Sequence, residues 1–109
     1  MIKNIFDIVK IPANSDEELF ESIYNDRNLL IERIISTGQV TPDGIWLEED
    51  YDEWVILLQG NSKIKFDDGK TVEVEKGDYF MIPSNTKHKV ILTSKIPCCI
   101  WLAIHIKQK

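Results

Sequence analysis

The chain has 109 residues and a net charge of −5 at neutral pH, with 43% hydrophobic and 28% charged residues. That length supports one domain with a single core, and the acidic balance argues against nucleic acid or an anionic membrane as a partner, since both call for a basic face. The longest apolar run, Cys98 to Ile104, is seven residues, far short of the ~20 that a spanning helix needs. Lys3 and Asp7 interrupt the apolar residues of the N-terminus, so no secretion signal is expected there and the cytoplasm is the default location. The adjacent Cys98 and Cys99 bridge each other only with strain. They read as small apolar residues entering a buried strand.

In chain order, Met1 to Pro12 alternates weakly and reads as an extended arm. Ser15 and Glu18 have capping-box spacing, and Asp16, Glu17 and Glu18 complement the positive end of a helix. Leu19, Phe20, Ile23 and Tyr24 recur at helical spacing, which predicts a short helix from Ser15 to Asn25 with one apolar stripe. Leu29 to Ile35 is β-rich and ends at Ser36-Thr37-Gly38, and Thr41-Pro42-Asp43-Gly44 is a turn by composition. A short strand is expected at Ile45 to Leu47, followed by an acidic stretch, Glu48, Glu49, Asp50 and Asp52.

Trp54 to Leu58 is apolar on both parities, the pattern of a strand buried on both faces. Lys63 to Phe66 and Thr71 to Val74 alternate around Asp67-Asp68-Gly69-Lys70, a hairpin signal with one wet face. Tyr79 to Ile82, His88 to Leu92 and Cys99 to Ile106 are the remaining strands, set apart by turns and Pro97. Short strands punctuated every 8–12 residues predict an all-β sandwich or barrel. The expected organisation is one domain, residues 1–28 forming an arm and helix and 29–109 the barrel.

Two stretches carry the chemistry. Glu53 to Gly60 reads E-x6-G, and Gly77, Pro83 and His88 read G-x5-P-x4-H, with Asn85 between the proline and the histidine. These spacings resemble the two motifs of the cupin superfamily, which implies a double-stranded β-helix of the jelly-roll kind. Asn85 stands where the family's second motif has its inner glycine, a substitution that tolerance of left-handed backbone makes reasonable. The departures bear on function. The two histidines of the family's first motif fall on Trp46 and Glu48, or on Leu47 and Glu49, depending on the spacer, and the last Asn of the second motif falls on Leu92. Trp46-Leu47-Glu48, Glu53-Trp54-Val55, Gly77-Asp78-Tyr79 and Trp101-Leu102-Ala103-Ile104-His105 are similar to small bacterial single-domain cupins.

The resemblance implies a barrel pocket for a small molecule, lined by Glu53, His88 and Glu48 or Trp46, with Tyr79 and Trp101 as further lining. A typical cupin holds a divalent metal with three imidazoles and a carboxylate; this chain has two histidines. The candidate ligand set is therefore Glu53, His88, Glu48 and His105, suited to Fe, Mn, Ni or Zn, and the implied chemistry is oxygenase, isomerase or lyase. A metal-free binding or sensing module is the other reading. His105 itself has two readings. It shares a strand face with Trp101 and Ala103, against Ile100, Leu102, Ile104 and Ile106 on the other. The aliphatic face would ordinarily be the core, unless a helix or a second subunit covers the outside. A homodimer is expected on that account.

Overall fold

A computed structural model describes residues 1–11 and 17–107. Eight strands follow in order: β1 (Leu19–Asn25), β2 (Leu29–Ser36), β3 (Asp52–Gln59), β4 (Asn61–Phe66), β5 (Thr71–Glu75), β6 (Tyr79–Ile82), β7 (His88–Thr93) and β8 (Cys99–Ile106). They form a five-stranded sheet, β1-β2-β8-β3-β6, and a three-stranded sheet, β5-β4-β7. Every strand pairing is antiparallel. The two sheets enclose the core, the double-stranded β-helix expected from the motifs.

Over its described residues, 17–25, the expected helix is absent. Leu19 to Asn25 is an edge strand paired with β2, Leu19 opposite Ile35 and Asn25 opposite Leu30. The register slips between Ser22 and Tyr24, and this bulge explains the misleading pattern. An extra residue shifts the two-residue alternation by one, so apolar side chains at 19, 20, 23 and 24 imitate the spacing of a helix. Ser15, the expected cap, lies outside the described residues. The arm before β1 is held by Arg33, whose guanidinium donates to the carbonyls of Ile5 (2.9 Å) and Asp7 (2.8 Å) and pairs with Glu21 (2.7 Å).

Register decides which side chains face inward. β3 and β8 place Glu53 opposite His105, Val55 opposite Ala103 and Leu57 opposite Trp101. Along β3 the inward residues run from polar to apolar; along β8, which runs the other way, they go from apolar to polar. The polar ends therefore coincide. The apolar layers form the core, where Val55, Leu57, Ile64, Val74, Cys99, Trp101 and Ala103 are buried together. Cys98 and Cys99 are free thiols, and Cys99 is fully buried in this core. The polar layer, Glu53 with His105, lies beyond that floor. His105 thus takes the inward reading, and Leu102, Ile104 and Ile106 are half-buried on the outer face.

One turn closes the far end of β3, and a second holds the loop that leads into it. Gly60, at φ 90°, closes the turn between β3 and β4; a Cβ there would lie 2.9 Å from Cys99 Sγ, so its motif position is sterically required. Asn85 adopts φ 61°, the left-handed backbone that its place in the second motif calls for. Its amide donates to the Glu49 carbonyl at 2.6 Å, and the Ser84 amide donates to Asp52 Oδ1 at 2.9 Å. Leu47 and His88 exchange backbone hydrogen bonds of 2.7 and 3.0 Å. The expected short strand at Ile45 to Leu47 is reduced to this single bridge.

Candidate acid–base site in the barrel

A cavity of about 270 Å³ opens over the apolar floor and is lined by both histidines, Glu53 and Trp101. His105 is 7% exposed, and its Nε2 donates to Glu32 Oε1 at 2.7 Å, with Glu53 Oε2 3.9 Å away. One imidazole therefore stands between two carboxylates. Its Nδ1 is buried without a hydrogen-bond partner among the described residues, and its ring and that of Tyr51 meet in a T-shaped contact with centroids 5.2 Å apart. His88, from the start of β7, is fixed differently. Its Nδ1 lies 2.9 Å from the Thr86 carbonyl, and as the donor there it leaves Nε2 with the lone pair.

Burial sets the electrostatics. Desolvation raises the pKa of Glu53, and the charges of Glu49 and Glu32 add to it, against the opposing pull of His105 and His88. Glu18, hydrogen-bonded to the Ser36 hydroxyl, is also raised by desolvation. The Tyr51 phenol is pushed up to about 12, first by burial and then by the charges of Glu49 and Glu53. A carboxylate with a raised pKa is a stronger base once ionised, and Glu53 has the imidazole of His105 beside it.

Of the residues singled out from sequence, the structure brings Glu53, His88, His105 and Trp101 to one cavity. Glu48 is exposed and points away, because strand parity through Leu47, Glu49, Tyr51 and Glu53 carries the odd-numbered residues inward. Trp46 also lies outside the lining; the Lys89 ammonium sits 4.4 Å above its ring. Tyr79 is 66% exposed on the outer face of the five-stranded sheet, against Trp54 with ring centroids 5.6 Å apart. Glu32, Glu18, Glu49 and Tyr51 complete the polar lining and were not singled out. Glu32 carried a signal, a lone carboxylate inside the apolar run Leu29 to Ile35. Glu49 and Tyr51 follow from Glu53 by counting back in twos.

The donor types suit a divalent metal, and the His88 Nδ1 contact to a carbonyl is the kind of outer-shell bond that orients a ligating imidazole. Their placement does not. Among the described residues, no three His, Cys, Asp or Glu side chains are arranged to hold a metal ion, and His105 Nε2 is engaged by Glu32.

Two antiparallel sheets closed into a barrel, with a polar site above an apolar floor, define a double-stranded β-helix with an internal pocket. The chain belongs to the cupin family, whose Cupin domain model matches residues 35–105. It is similar over 99% of both chains, at 30% identity and a TM-score of 0.88, to a candidate mannose-6-phosphate isomerase of known structure from Ralstonia eutropha JMP134. A cupin superfamily protein from Desulfitobacterium hafniense DCB-2 matches over 99% of both chains with a TM-score of 0.73 at 18% identity. A cupin from Methanocaldococcus jannaschii with a double-stranded β-helix fold has a TM-score of 0.67 at 14% identity, over 95% of this chain and 93% of the other. The last two show the fold alone. No protein of curated function matches the sequence.

Proposed function

We propose that the barrel cavity is a small-molecule site that moves a proton on its ligand, chemistry of the isomerase or lyase kind. The observation that carries this reading is the Glu32–His105–Glu53 arrangement, with Nε2 at 2.7 and 3.9 Å from the two carboxylates. Glu53 is the base: burial makes its carboxylate more basic, and it lines the cavity. His105, anchored by Glu32, holds a proton beside it and offsets the charge that Glu53 gains or loses as it turns over. The Ralstonia relative, a candidate mannose-6-phosphate isomerase, accords with proton transfer. It accords less well with a phosphate, for no Lys or Arg lines the cavity among the described residues.

The test is solvent deuterium wash-in. The protein is incubated in deuterated buffer with a panel of aldoses, hydroxy-ketones and amino-ketones, the last cationic at neutral pH, and carbon-bound deuterium is read by proton NMR. Exchange into at least one class is expected, falling by ~10²–10⁴ in Glu53→Gln, the usual contribution of a general base. No exchange in any class would leave a binding or sensing module in place of an enzyme.

A second reading, a divalent Fe, Mn, Ni or Zn on Glu53 and His88 with a rearranged His105, is favoured by the His88 Nδ1 contact to Thr86. Calorimetric titration of the chelator-stripped protein with each metal decides it. Binding that weakens as pH falls from about 7 to 5, where an imidazole ligand protonates, and that is lost in His88→Ala, would establish the metal.

A further inference from the structure

Among the described residues, four carboxylates line the cavity, Glu18, Glu32, Glu49 and Glu53, and no lysine or arginine joins them. Of the described lining residues, the two histidines alone are able to carry positive charge, and one is engaged by Glu32. Surface carboxylates in such number would be an ordinary solvated face. These are not all at the surface: the Glu53 and Glu32 side chains are 14% and 15% exposed. Four carboxylates sharing one imidazole between two of them carry more negative charge than the lining offsets, and burial leaves it to be relieved by bound protons or by a cation from outside.

The remaining lining decides what sort of cation. Phe20, Tyr51 and Trp101 present aromatic surface to the same space, and ring faces attract weakly hydrated organic cations. A metal ion would need several donors converging on one point, and no such group of three is found among the described residues. His105, one of the residues lining the cavity, also carries a buried Nδ1 without a hydrogen-bond partner among the described residues. At about 270 Å³ the space lies just under the ~300–1,000 Å³ of most ligand pockets, which calls for a compact molecule.

We propose that the ligand of this cavity is a small organic cation, an ammonium compound whose charge lies among Glu49, Glu53 and Glu32 and whose carbon groups pack on Tyr51 and Trp101. This rests on the reading of the cavity as a small-molecule site and narrows that site's ligand by charge. A phosphorylated sugar is excluded on the same grounds: a dianion brought among buried carboxylates meets repulsion and no donor of opposite charge.

The experiment compares shape-matched probes on the wild-type protein. Choline and 3,3-dimethyl-1-butanol have the same outline and differ by one positive charge; mannose 6-phosphate and manganese chloride complete the set. Each is titrated calorimetrically at neutral pH in low salt, and choline again in high salt. Choline is expected to bind about tenfold or more tighter than the neutral alcohol, to weaken with salt, and to lose about tenfold in Glu49→Gln, an exposed loop position whose change leaves the core intact. Mannose 6-phosphate is expected not to bind. If the alcohol binds as well as choline, or the sugar phosphate or manganese binds and choline does not, the inference falls and the cavity remains a binding site of another class. If none of the four binds, the small-molecule reading falls with it.

Discussion

Glu53 shows at the level of one residue how a site costs stability. Burial holds its folded pKa above the ordinary 4.5, so the native chain binds more protons than the unfolded chain between those two values. The stability this group contributes is complete below about 4.5 and is lost as pH rises through the folded pKa. Glu53→Gln should therefore stabilise the protein at neutral pH, by about 0.5–2 kcal/mol as is usual when a strained functional group is relieved. The gain should shrink as pH falls toward the ordinary value. Chemical denaturation of both proteins across that range measures it, and a gain that grows with acidity would contradict the desolvation argument. His105→Ala does the opposite. It leaves Glu32 buried without its 2.7 Å partner, which should cost about 1–3 kcal/mol in the same unfolding experiment.

Among the elements, β1 carries the main departure from the sequence reading. Its bulge makes an edge strand look like an amphipathic helix, and what overrode the local pattern is the row of backbone partners offered by β2. Phe20 is accordingly not a core anchor: it is 56% exposed at the cavity rim. Phe20→Ala should cost less than about 1 kcal/mol, near the range of surface changes, where a helix packed through that ring would lose ~3–5. Arg33 matters more. Its guanidinium ties β2 to Glu21 of β1 and to two carbonyls of the arm. Arg33→Ala should cost about 1–3 kcal/mol and speed amide hydrogen exchange in β1 selectively; unchanged exchange there would show that the clamp carries no load. The strands with clean punctuation were legible to the residue. Tyr79–Ile82 and Cys99–Ile106 appear where alternation and Pro97 placed them, since glycine and proline act locally on φ and ψ and need no partner to be read.

For the molecule as a whole, pairing supplied what local pattern lacked. The motifs located Glu53 and His88 because their spacing is fixed by two turns within a few residues. Glu32 stayed hidden because it reaches His105 through the β2–β8 pairing, a contact 73 residues apart in sequence that no short-range signal encodes. The facing of His105 was open for a related reason. Its strand has an aliphatic face that looks like a core, and that face lies outside. Register carries it across the sheet as a row, Met81–Trp54–Ile104–Ile31–Tyr24, with Met81 45% and Tyr24 49% exposed. An apolar row of that extent calls for cover, and a second copy meeting it face to face would bury the same row twice. Analytical ultracentrifugation should find a dimer that Ile104→Glu converts to a monomer. A wild-type monomer at every concentration would contradict this.

A ligand that enters the cavity meets the imidazole held between Glu32 and Glu53. The most direct measurement is the long-range proton–nitrogen spectrum of His88 and His105, recorded while choline, 3,3-dimethyl-1-butanol or mannose 6-phosphate, whichever binds, is added to saturation. The ring nitrogens of His105 should shift with the same midpoint as the calorimetric titration, and the shift should weaken in Glu53→Gln. Saturation by any of these probes with both imidazoles unmoved would place binding elsewhere on the molecule and contradict the claim.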